Sequence, residues 1–118
     1  MLSPFGKFCR KLRIEKDEIL LDMAKKLDVT PSFLSAVEIG KKNVPENWAE
    51  ILIEKYSLNT EQAEELRQAI KDSVRQLKFD LYDKKENDRD LLLAFARKLD
   101  VLDTEEKESI LTILNKKD

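Results

Sequence analysis

The chain contains no histidine, which removes imidazole metal ligands and histidine-activated nucleophiles from consideration. Its two glycines, Gly6 and Gly40, are too few for a glycine-rich phosphate loop. One cysteine, Cys9, permits no internal disulfide, as expected in a reducing cytosol. Cys9 falls on an apolar face and reads as a small core residue. No apolar run approaches the roughly 18 residues of a membrane span, and no signal-peptide pattern is present. The expectation is a soluble, cytoplasmic protein without membrane contact, metal or cofactor. The carboxylates are interspersed with lysines at helix-surface spacing, a solvating pattern, so no enzymatic chemistry is expected.

What the sequence does contain points to helices. Of 118 residues, 42% are hydrophobic and 39% charged, with only two Gly and three Pro to interrupt them. Abundant Leu, Lys and Glu with few breakers argue for an all-α fold. The formal net charge is −2, so contact with a polyanion would have to come from a local patch. Residues 1–56 hold ten Lys/Arg against nine Asp/Glu, and residues 57–118 hold twelve against fifteen.

Helix starts and apolar spacing divide the chain. Ser3-Pro4 caps a first helix whose Phe5, Phe8, Cys9 and Leu12 share a face. A second helix is expected from about Asp17 to Leu27, with Ile19, Leu20, Met23, Ala24 and Leu27 inward. Thr30-Pro31 restarts a third, which runs to about Ile39 and puts Leu34, Val37 and Glu38 on one face. Gly40 supplies the positive φ that closes it. Pro45 is expected at the first position of a fourth helix containing Trp48, Leu52 and Tyr56. Asn59-Thr60 caps a fifth, expected to continue through Ile70 and Val74 to Leu77.

Phe79–Tyr82 is consistent with a short strand, a helix end or an extended linker, and Asp83–Asp90 with an exposed polar stretch. A sixth helix is expected over about Asp90–Leu99, and Thr104 opens a last one. Leu20–Val29 echoes Leu92–Val101, but common amphipathic residues explain this better than a duplication.

The tight junction between the second and third helices is that of a helix-turn-helix, whose second helix can enter a DNA major groove. The run Met23-Ala24-Lys25-Lys26-Leu27-Asp28-Val29-Thr30-Pro31-Ser32-Phe33-Leu34-Ser35-Ala36-Val37-Glu38-Ile39-Gly40, followed by Pro45, resembles the phage-repressor-like (Cro/C1, XRE) family. Gly6–Arg13 resembles that family's first helix and Trp48–Leu52 its fourth, so the resemblance covers about residues 5–58.

The resemblance implies a five-helix lambda-repressor-like DNA-binding domain over residues 1–78, with a C-terminal helical extension over 79–118. It implies a transcriptional regulator, a repressor by expectation, that binds double-stranded operator DNA as a homodimer. By the same resemblance Pro31, Ser32, Phe33 and Ala36 face bases, with Thr30 and Ser35 near the backbone. Lys41, Lys42 and Asn43 would meet phosphates, with Lys16 helping from the preceding loop. Arg13 and Glu38 match an ion pair that ties the first helix to the third.

Several positions depart from the family pattern. Leu20 replaces the Gln that often binds phosphate, Ala36 and Ile39 replace base-reading or charged residues, and Asp28 replaces a Gly. Dimerisation is expected through Leu66, Ile70 and Val74 of the fifth helix and through Leu92, Phe95, Leu99, Ile110, Leu111 and Leu114 of the tail. Two other functions stay open: the antitoxin of a toxin–antitoxin pair, with a toxin as partner, and a protein-interaction module that has lost DNA binding.

Overall fold

The computed structural model describes residues 1–116. Among these residues the chain is all helical, with no strand. It divides into two compact units, Met1–Leu77 and Lys78–Asp118.

The first unit contains α1 (Pro4–Glu15), α2 (Leu20–Lys26), α3 (Pro31–Glu38), α4 (Trp48–Lys55) and α5 (Thr60–Asp72). Side-chain bonds fix the starts of α1, α2 and α5, whereas α4 begins without a side-chain cap. The Ser3 hydroxyl accepts from the Gly6 amide at 3.0 Å, and Pro4 occupies the first turn. Asp22 reaches back to accept from the Ile19 amide at 2.9 Å. Asn59 and Gln62 cap α5 reciprocally at 2.8 and 3.0 Å. Helix exits use left-handed residues: Asp17 after α1, Asp28 after α2, Gly40 after α3 and Ser57 after α4. Only one of these four is glycine; Asp tolerates the conformation better than most residues because a short polar side chain can bond locally.

One core joins the five helices. Phe5, Cys9 and Leu12 of α1 meet Met23, Ala24, Leu27, Leu34, Val37, Trp48, Leu52 and Tyr56, all buried. Phe5 and Trp48 pack as a tilted aromatic pair with centroids 6.0 Å apart.

Several expectations are corrected here. Leu66 is fully buried in this core, where α5 packs on α1, and so is not available for dimerisation. Ile70 packs against the same core, whereas Val74 is exposed. Helix α5 stops at Asp72 rather than Leu77. The Ser73 hydroxyl donates to the Ala69 carbonyl at 2.7 Å and accepts from the Phe5 amide at 2.9 Å, which fixes the chain where the helix ends. Ile19 lies outside α2 and is exposed, because the helix begins at Leu20. Pro45 precedes α4, which begins at Trp48.

The second unit contains α6 (Glu86–Lys98), a 3₁₀ turn (Leu99–Val101) and α7 (Thr104–Asn115). Phe79–Tyr82 is irregular, and α6 begins four residues before Asp90, inside the polar stretch. Asp103 and Glu106 cap α7 reciprocally at 2.8 and 3.0 Å. Asp100 sits in the 3₁₀ turn, whereas Asp28 is left-handed, so the Leu20–Val29 echo does not extend to the turn. No described residue of this unit is buried. Phe95, Leu99, Leu102, Ile110, Leu111 and Leu114, with Lys107, line a largely apolar groove of about 200 Å³.

Candidate nucleic-acid interface

The junction between α2 and α3 is built from backbone bonds around one left-handed residue. Asp28, at φ 57°, turns the chain, and the Val29 amide returns to the Ala24 carbonyl at 3.0 Å. The Thr30 hydroxyl then accepts from the Phe33 amide at 3.1 Å, and Pro31 begins α3 with its ring already set to helical φ.

The far end of α3 is held to α1. Arg13 and Glu38 are buried and joined by two bonds, Nη1 to Oε2 at 2.6 Å and Nη2 to Oε1 at 3.1 Å. Burial works against the Arg13 charge, but the hydrogen-bonded Glu38 carboxylate outweighs it and raises the guanidinium above its ordinary pKa. The Glu38 carbonyl accepts from both the amide and the hydroxyl of Ser3, each at 2.8 Å. Gly6 lies so close that an added Cβ would stand 2.2 Å from that carbonyl oxygen.

A second network braces the start of α2. Glu18 pairs with Lys26 and accepts from the Tyr56 hydroxyl at 2.5 Å, and the Lys26 ammonium lies 4.2 Å from the centre of the Tyr56 ring. Burial pushes the Glu18 carboxyl up, but the bonds from Lys26 and Tyr56 prevail and hold it below the usual range. Burial, then the Glu18 carboxylate, pushes the Tyr56 phenol well above its ordinary value.

Between these anchors α3 exposes one face. Pro31, Ser32, Ser35 and Ala36 line an open depression of about 450 Å³, joined by Leu20, Ile39 and Lys41. Ser32, Lys41 and Lys42 are exposed; Pro31, Ser35 and Ala36 are half-buried. Lys16 is exposed but does not line the depression. Two expected contact residues already have partners within the unit. Phe33 is half-buried, its ring edge-on to Trp48 at 5.8 Å, so that part of it packs on the core. The Asn43 side-chain amide already donates to the Gln76 carbonyl at 3.0 Å, which ties the loop after α3 to the end of the unit.

Arg75 is a cation that the sequence pattern did not mark. Its Cδ lies 3.6 Å from where a Gly40 Cβ would stand, which sets it beside the close of α3. No helical spacing could have signalled this approach, because Arg75 follows the end of α5.

Chemically, the face offers hydroxyl donors and acceptors, a proline ring, aliphatic groups and lysine cations. It offers none of the Arg, Asn or Gln side chains that form paired bonds to a single base. Among the described residues no group of His, Cys, Asp and Glu is arranged to hold a metal ion, and no helix is long and apolar enough to cross a membrane. Comparison with protein-family models, curated proteins and solved structures finds no match, so the meaning of this face has to come from its own residues.

Proposed function

We propose that the chain is a DNA-binding transcriptional regulator with a lambda-repressor-like domain, acting as a cytoplasmic repressor and binding its operator as a homodimer. The observation that carries this is the α2–α3 junction, with Ser32, Ser35 and Ala36 on an open face beside Lys41. In this reading the first turns of α3 enter the major groove. Ser32 and Ser35 hydrogen-bond bases or phosphates, and Pro31 and Ile39 pack on thymine methyl groups. Lys41, Lys42 and Lys16 neutralise phosphates. Without paired-bond side chains, much of the specificity falls to DNA shape and half-site spacing. A two-fold dimer would set its two α3 helices about 34 Å apart, one turn of DNA.

The apolar border of the depression, Leu20, Pro31 and Ile39, favours a second reading. In it the same face binds a protein, either as an antitoxin binding its toxin or as a module that has lost DNA binding. Selection of bound sites from random duplexes at low salt, using the full chain, separates the two. The regulator should enrich a symmetric site with half-sites about one turn apart. No retained DNA at low salt would reject the regulator and leave the protein-binding reading.

A further inference from the structure

We infer that the helices of the second unit are one half of a structure completed by a second copy of the same chain, packed antiparallel, groove against groove. This names the surface behind the homodimer proposed above, and it rests on α6 and α7 alone, independent of DNA binding.

Helices of 12 or 13 residues, the lengths of α7 and α6, are marginal in water unless an apolar face is buried. Here no described residue is buried. Leu91, Leu92, Phe95 and Leu99 follow one another along a single face of α6 and the turn after it. Ile110, Leu111 and Leu114 of α7 stand across the groove. Leu91, Leu111 and Leu114 are 68%, 56% and 57% exposed. Phe95 and Leu99 are exposed as well, so the stripe on α6 and its counterpart on α7 both stand open, and contiguous apolar patches of this kind ordinarily mark partner sites.

Charge selects the occupant. Helix α6 carries Glu86, Asp88 and Asp90 with Arg89 among them in its first half, and Arg97 and Lys98 in its last turn, while Lys107 of α7 also lines the groove. Asp88 lies on the same face as the Leu91–Phe95–Leu99 stripe, and Lys98 flanks its other end. A two-fold axis near the middle of α6 runs two copies antiparallel and sets Asp88 of each opposite Lys98 of the other. A parallel pairing would instead set Asp88 against Asp88. The surface is therefore complementary to itself under two-fold symmetry, as an isologous interface requires. Folding of this unit and association then form a single transition.

Sedimentation of the full chain without DNA tests this at tens of micromolar, a range suited to weak association. The expected species is a dimer, and Phe95→Asp should sediment as a monomer while Trp48 fluorescence, which reports the first unit, is unchanged. Because Phe95→Asp can also unfold the second unit, a charge exchange provides the independent arm. Asp88→Lys or Lys98→Asp alone should weaken the dimer roughly tenfold, and the two together should restore it. A monomeric full chain, or a dimer indifferent to Phe95→Asp, would overturn the inference. A double exchange no better than the weaker single one would overturn the antiparallel register. A dimer that selects no DNA would reject the proposed function alone, and a monomer that selects DNA would reject the inference alone.

Discussion

Gly6→Ala replaces glycine with the best helix former inside a helix, a change that ordinarily stabilises by about 1 kcal/mol. Here it should do the opposite. The new methyl would stand 2.2 Å from the Glu38 carbonyl oxygen and 2.9 Å from its carbon. Both are backbone atoms and cannot rotate aside, so α1 and α3 would have to part by roughly 1 Å, an overpacking that costs about 1–3 kcal/mol. The same displacement stretches the two Ser3 bonds to that carbonyl, each 2.8 Å long and each contributing about 1 kcal/mol. Against the propensity gain, the net expectation is a loss of about 2–4 kcal/mol. Urea denaturation followed by the single, buried Trp48 measures it. With a slope of roughly 1–3 kcal/mol per molar urea, the midpoint should fall by about 0.7–4 M while the slope holds. A midpoint equal to or above that of the parent would refute the close approach of α1 to α3.

Arg13→Met leaves the Glu38 carboxylate buried without its partner and should cost about 3–5 kcal/mol in the same assay. Arg13→Met with Glu38→Leu should recover much of that, and a double variant as unstable as the single would show that the stranded charge is not the cause. Lys41→Ala with Lys42→Ala should weaken binding to all DNA sequences and reduce the salt slope by up to about two. A parental slope would make both lysines ordinary surface charge. The Glu18 carboxyl is held low in the folded chain, so below its ordinary pKa of about 4.3 the unfolded chain binds the proton more readily. Its stabilisation is present above that pH and is lost as pH falls through the lowered folded value. Glu18→Gln should therefore flatten the acid side of the stability profile, and urea midpoints that fall in parallel for both proteins from about pH 6 to about pH 3 would contradict this.

Local chemistry was the legible part of the fold. Ser3-Pro4, Thr30-Pro31 and Asn59-Thr60 announce helix starts, because a cap is a bond between residues three apart. Gly40 and Asp28 stand out because few residues tolerate a left-handed turn. What the sequence concealed was set by distant partners. Apolar spacing places Leu66 on a stripe but does not say that α1, rather than another molecule, covers it. The edge contact of Phe33 with Trp48 spans α3 and α4, and the approach of Gly6 to Glu38 spans α1 and α3. Helix α5 ends early because Ser73 bonds to Phe5, sixty-eight residues away. In the candidate site, the resemblance supplied Pro31, Ser32, Ser35 and Ala36, which line one depression. It did not supply the diversion of Asn43 to Gln76 or the proximity of Arg75 to Gly40.

Cys9 gives the molecule a built-in stopwatch. Its side chain is fully buried, and burial first, with the Glu38 carboxylate second, pushes the thiol far above its ordinary range. The reactive thiolate is thus almost absent while the first unit stays closed. As the chain's single sulfhydryl, it gives a coloured disulfide reagent one place to attack, and only during an opening. The labelling rate equals that of a free thiol multiplied by the fraction of time spent open, so a stability of about 5 kcal/mol slows it by several thousandfold. Anything that clamps α3 against α1 lengthens the interval further, and the natural chain can time its own breathing without an added probe.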